Sequence, residues 1–169
     1  PERGSFDVDG LKLSTGRCGH APGGVWFHME TEKGGFIYTG DISLESQGMP
    51  FDYPPQAATL LVDASYGDRE QDLGDQISAM ADYARGGAVL CCPAAGRGTD
   101  MVLAMASHGL AVHVSAAVGE EVEAATGERF PVVNGETAQP YQVIVATESN
   151  AEAGLSAELL KRGGFRFVF

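Results

Sequence analysis

The hydrophobic pattern of this chain changes once, and that change limits the folds open to it. Up to about Ser65 the sequence reads as hairpins. Phe6-Asp7-Val8 and Leu11-Lys12-Leu13 flank Asp9-Gly10, a strong two-residue turn signal. Val25-Trp26-Phe27-His28-Met29 and Phe36-Ile37-Tyr38 flank Glu32-Lys33-Gly34-Gly35 in the same way. Residues 44–58, with three prolines and Gly48, read as an exposed loop. Thr59-Leu60-Leu61-Val62 is a short continuous apolar run, which predicts a strand covered on both faces.

After Gly67 helical spacing takes over and then alternates with short apolar runs. Leu73, Ile77, Met80, Ala81 and Ala84 predict a helix ended by Gly86-Gly87. Ala88–Cys92 predicts a buried strand, and Thr99 and Asp100 are candidate caps for a helix stopped at Gly109. Leu110–Val114, a helix near 117–125, Val143–Ala146, Leu155–Lys161 and Phe165–Phe169 continue the alternation. Strand followed by helix, repeated, predicts a largely parallel α/β layer. The expected organisation is two parts, residues 1–67 and 68–169.

Composition narrows the function. No apolar stretch approaches the ~20 residues of a membrane helix. The net charge is −12 with only 11 basic residues, none in a block, so charge alone disfavours nucleic acid as a partner. Acidic surfaces do attract divalent cations. Cys18, Cys91 and Cys92 form neither a disulfide framework nor a C-x-x-C zinc pattern, and a reducing cytosol fits them best. Pro1-Glu2-Arg3-Gly4 is no recognisable start and the last strand stops at Phe169 without a cap. The chain is therefore expected to be a piece of a longer polypeptide.

Two residues point to chemistry. His20 sits between Gly19 and the turn Pro22-Gly23-Gly24, where a flexible backbone lets an imidazole face a cleft. Asp41 follows Tyr38-Thr39-Gly40 at a strand end, where folds of this kind place their sites. Alone, His20 reads first as a satisfied loop histidine and Gly40-Asp41 as a common turn; one hairpin apart, they form a candidate metal-ligand pair. Of the other histidines, His28 and His113 fall within strands and His108 at a helix end, where structural roles suffice.

These motifs, with three that follow in order, resemble the metallo-β-lactamase-fold hydrolases that carry a β-CASP domain, a group including ribonuclease J and the pre-mRNA cleavage endonuclease. Gly19-His20 with Pro22-Gly23, and Tyr38-Thr39-Gly40-Asp41, resemble ligand motifs of the second half of the metallo-β-lactamase domain. Leu61–Arg69, LVDASYGDR, is similar to the family's acidic strand-to-loop motif. Gly87–Arg97, GAVLCCPAAGR, and Val143–Leu160, VIVATESNAEAGLSAELL, resemble two segments of the β-CASP domain. The resemblance spans residues 16–169.

The resemblance implies the latter part of an αββα sandwich followed by a βαβ, parallel-sheet domain, truncated at its C-terminus. It implies His20 as a zinc ligand, Asp41 as a carboxylate bridging two zinc ions (or manganese), and Asp63 as an acid near the metals. Asp63 reads equally as a strand-end turn former. Arg97, Thr147 and Ser149 would contact substrate; for Arg97 a surface or capping role fits as well. Glu148 and Ser149 stand where the family carries a small Ser-Gly pair. The implied activity is a nuclease cleaving single-stranded RNA or DNA phosphodiesters with a hydroxide activated by two zincs, in a cytoplasmic enzyme compatible with homo-oligomers. The H-x-H-x-D-H cluster and the final histidine of the family belong outside residues 1–169, so this piece alone is expected to be inactive. The alternatives are a non-catalytic relative acting as an interaction subunit, and a small-molecule hydrolase of the same fold.

Overall fold

A computed structural model describes residues 4–46, 48–65, 67–68 and 70–169. Tyr66 and Arg69 of the acidic motif, Gln47 of the proline-rich loop and the start Pro1-Glu2-Arg3 lie outside the described residues. The fold is mixed α/β, with two sheets and four helices among those residues. It divides into two compact units, Pro1–Glu70 and Gln71–Phe169.

The first unit is a five-stranded sheet in the order β1 (Gly4–Val8), β2 (Leu11–Arg17), β3 (Val25–Met29), β4 (Phe36–Tyr38), β5 (Thr59–Leu61). The first three pairings are antiparallel and β4–β5 is parallel. Asp9 and Gly10 both adopt positive φ, +54° and +84°, as the two-residue hairpin turn requires, and Gly10 N–H donates to the Asp7 carboxylate at 2.7 Å.

Register separates the two faces of this sheet. Phe6, Leu13, Met29 and Phe36 stand in one cross-strand row; Phe27, Tyr38 and Leu61 stand in the next, on the same face. That face is apolar and bare: Phe6, Phe27, Tyr38 and Leu61 are 38–55% exposed. The opposite face buries Trp26 and Ile37.

One expectation changes here. Strand β5 is not covered on both faces: among the described residues it is an edge strand paired only with β4, and Leu60, Leu61 and Val62 are all exposed. Its continuous apolar run places Leu61 beside Tyr38 on the bare face and Leu60 beside Ile37 on the other. Residues 44–58 form the expected loop, largely exposed among the described residues, but it is tied to the sheet and buries Met49. Phe51 pairs with Cys18, and the Asp52 carbonyl accepts the Trp26 indole N–H at 2.6 Å.

The second unit is a four-stranded, all-parallel sheet. Its order is β7 (Val112–Val114), β8 (Val143–Ala146), β6 (Ala88–Cys91), β9 (Phe167–Val168). Alternate strand residues feed two cores. Leu90, Val114 and Val145 pack with α1 (Leu73–Ala84), α2 (Thr99–Ser107) and α3 (Ala116–Thr126). Val89, Ile144 and Ala146 pack with Leu155 and Leu159 of α4 (Gly154–Arg162) and with Val133 and Ala138. Helices thus cover both faces, which explains why these strands are apolar without alternation. Cys91 and Cys92 belong to this packing: burial pushes the Cys91 thiol up to about 11 and the Cys92 thiol up to about 12, so neither ionises near neutrality.

The caps follow local chemistry. Asp72 accepts the Asp75 N–H at 3.0 Å to open α1, and Gly127, at φ +78°, closes α3. Thr99 does not cap α2 as its position in the sequence predicts. The chain enters through a π-turn, Ala94–Gly98, with Gly96 at φ +68°, so Gly98 takes the cap position. Gly98 is already helical in φ and ψ, and Thr99 lies within the helix, buried, with its hydroxyl unpaired among the described residues.

Candidate functional site

In the first unit the residues singled out by sequence gather where β2 and β4 end. Beyond β2 the chain turns at once: Cys18 N–H donates to the Gly24 carbonyl at 3.1 Å, and Gly24 N–H to the Ala21 carbonyl at 3.0 Å. The Ser43 N–H donates to the Cys18 carbonyl at 3.0 Å and ties the segment after β4 to this turn. Gly19 makes the approach possible. Its φ is +72°, and a Cβ there would lie 2.1 Å from the Ser43 carbonyl oxygen. The result places His20 Nε2 3.8 Å from Asp41 Oδ2, with both side chains open to solvent.

Asp63 reaches the same end of the sheet from β5. Thr39 N–H donates to the Leu61 carbonyl at 3.1 Å, and the Thr39 hydroxyl accepts the Asp63 N–H at 3.1 Å. Asp63 in turn accepts the Ser65 N–H at 3.0 Å and the Ser65 hydroxyl. The two Ser65 hydrogen bonds hold the Asp63 carboxyl below its ordinary value of 3.8 against the opposing effect of burial. The Ile42 N–H and the charge of His20 add to the depression. Asp63 is therefore both the turn former that its sequence allows and a carboxylate in the field of His20.

The sign of that shift fixes its pH dependence. A folded value below the unfolded one means that the turn's contribution is present above pH 3.8 and is lost as pH falls through the lower folded value. The Ser65 amide proton resonance is expected to titrate with a midpoint below 3.8 and to lose its titration in Asp63→Asn. A midpoint above 3.8 would show that the bond to the ionised carboxylate is not made.

Whether these residues fit a zinc ion depends on ligand type and number. Imidazole nitrogen and carboxylate oxygen are good zinc ligands at ~2.0–2.2 Å, and two of them at a tetrahedral angle lie roughly 3.3–3.5 Å apart. The 3.8 Å separation is close to that. The number falls short: among the described residues no group of three or more His, Cys, Asp or Glu could hold a metal ion, and a catalytic site takes about three. By ligand type and spacing His20 and Asp41 suit a zinc ion; by number the described residues fall short of a site.

In the second unit Arg97, Thr147 and Ser149 fall at the carboxyl edge of the parallel sheet. Thr147 directly follows β8, and Arg97 lies in the π-turn after β6, the neighbouring strand; Cys92 N–H donates to the Ala146 carbonyl at 3.1 Å between them. Arg97 is exposed, and Thr147 and Ser149 are half-buried. The Ser156 hydroxyl donates to the Thr147 carbonyl at 2.6 Å, securing the turn into α4. Sequence reasoning passed over Ser156, and equally over Asp52, whose partners are far away in the chain.

Comparison with known proteins shows the fold and no more. No family model matches the chain, and no curated protein matches it. Among solved structures, a protein of unknown function from Enterococcus faecalis V583 shares the fold at a TM-score of 0.53 and 12% identity. The match covers 99% of this chain and 43% of that one, so the chain spans less than half the length of that relative in structure. Among the described residues, no helix is long and apolar enough to cross a membrane.

Proposed function

We propose that this chain is the latter part of a metal-dependent phosphodiesterase of the metallo-β-lactamase type with a β-CASP-like domain, acting on single-stranded RNA or DNA. The observation that carries the reading is the convergence of His20 and Asp41, 3.8 Å apart, with Asp63 in the field of the histidine. Two further features support it. The bare apolar face of the five-stranded sheet is what one layer of a sandwich presents to its partner layer. The matching structure's chain is also more than twice as long as the part this chain covers, leaving room for such a layer.

In this reading His20 and Asp41 bind the metal and Asp63 orients the imidazole electrostatically. Zinc or manganese, when bound, supplies Lewis acidity toward the phosphodiester. The carboxyl edge of the parallel sheet offers Arg97 to a phosphate and Thr147 and Ser149 to the rest of the substrate. The 169-residue chain, with a partial ligand set, is expected to show no phosphodiesterase turnover with Mn²⁺ or Zn²⁺. It is nevertheless expected to bind Mn²⁺ weakly, broadening the His20 imidazole resonances in NMR, and Asp41→Ala removes that broadening. Turnover that Asp41→Ala abolishes would overturn the partial-set view; no effect of Mn²⁺ on His20 would overturn the metal reading.

The same bare sheet face favours a second reading, a non-catalytic interaction subunit whose partner covers that face. It predicts that Mn²⁺ leaves His20 untouched.

A further inference from the structure

The turn that carries His20 is not held by its own bonds alone. Asp52, 35 residues beyond Arg17, takes three hydrogen bonds from it. Its Oδ2 accepts the Arg17 backbone N–H and Nε, both at 2.9 Å, and Oδ1 accepts Nη2 at 3.0 Å. The backbone completes the contact, because the Asp52 N–H donates to the Arg17 carbonyl at 3.0 Å. The preceding residue, Phe51, pairs antiparallel with Cys18, and Cys18 is the residue whose carbonyl receives the Ser43 N–H. The strand makes room for this arrangement: a Cβ on Gly16 would lie 2.3 Å from the Trp26 ring and 2.9 Å from the Asp52 Cβ.

We propose that Asp52 is a positioning residue, which through Arg17 fixes the Cys18–His20 segment so that the His20 imidazole stays beside the Asp41 carboxylate. A forked guanidinium–carboxylate contact sets direction as well as distance, which a single hydrogen bond to a mobile loop does not. Arg17 is three residues from His20, so its orientation passes directly into the turn. The Ser43 bond then refers that turn to the segment bearing Asp41. The functional importance of this device rests on the metal reading above, while its geometry stands without it.

A double-mutant comparison in the 169-residue chain tests it. The readout is the chemical-shift change of the His20 imidazole caused by Asp41→Asn, followed by NMR. In the parent sequence the change is expected to be clear; on the Asp52→Ala background it loses most of its amplitude. Asp52→Asn, which keeps one acceptor, recovers part of it. Arg17→Lys keeps the charge and removes the fork, so it is expected to lose the response even if Asp52→Ala fails to fold. Ile37→Val weakens the same unit away from Asp52 and is expected to leave the response intact, separating positioning from general loosening. An undiminished response in both Asp52→Ala and Arg17→Lys would overturn the proposal. Addition of Mn²⁺ to the parent sequence separates the two claims. No effect on His20 sinks the metal reading and leaves the positioning result standing, whereas broadening with an unchanged mutant response sinks only the positioning role.

Discussion

Gly87→Ala melts the parallel-sheet unit far below the temperature of the parent sequence. Gly87 opens β6 at φ +91°, and a Cβ there would lie 2.1 Å from the Pro140 carbonyl oxygen and 2.5 Å from the Tyr141 backbone. All three close atoms are main chain, so no side chain can swing aside. The left-handed backbone itself costs an L-residue ~1–2 kcal/mol, and the forced shift of the neighbouring segment adds ~1–3 kcal/mol. The carbonyl of Gly87 also accepts Arg166 Nε at 2.9 Å and Nη2 at 2.6 Å, so a shift there disturbs the anchor of β9. For a unit of this size ~1 kcal/mol corresponds to roughly 4–8 °C, giving a fall on the order of 10–30 °C by circular dichroism. A melting point within a few degrees of the parent would mean that the Pro140–Tyr141 segment is not packed as described.

Ile144→Asp is the second large effect. Ile144 is fully buried at the centre of β8, between β6 and β7, and packs with Leu155 and Leu159 of α4. An aspartate there loses the packing and buries a carboxyl among apolar atoms. An uncompensated buried charge costs about 3–5 kcal/mol, comparable with the whole stability of a small domain. The expected result is loss of the cooperative melting transition of the second unit. Leu160→Asp is the internal comparison: it introduces the same charge into the same unit, on α4, but at a side chain 50% exposed, and the transition survives. If Ile144→Asp melted like Leu160→Asp, the α4 face of the sheet would have to be open to water.

How much of this was legible beforehand varies with the range of the interaction. Asp9-Gly10 announced its hairpin because the turn's backbone demand is local. The second unit was legible because strands buried on both faces must be apolar throughout, and Ala88–Cys91 and Val143–Ala146 are. The same rule misled at Thr59–Leu61. There the apolar run reflects an edge strand with one apolar side chain on each face, and a continuous run cannot report which faces are covered. The His20–Asp41 proximity followed from two strand ends in one hairpin neighbourhood. Asp52 was invisible because it lies in a proline-rich stretch without periodicity, and nothing near it in the chain hints at Arg17. The turn at Ala94–Gly98 hid for a related reason: Thr99-Asp100 looks like a helix start, but the break in the backbone comes earlier, at Ala95 and Gly96, and Gly98 is already helical in φ and ψ.

The bare face of the first sheet also has a thermodynamic side. The heat-capacity change of unfolding comes chiefly from apolar surface newly exposed to water. Phe6, Phe27, Tyr38 and Leu61 are already partly hydrated in the folded unit, so each adds less to that change than a fully buried side chain of its size. The first unit therefore carries a smaller heat-capacity increment per residue than the second, whose strands are sealed on both sides. Its stability curve is correspondingly flatter, varying little between cold and warm, whereas the second unit has a sharply domed curve with a well-defined optimum.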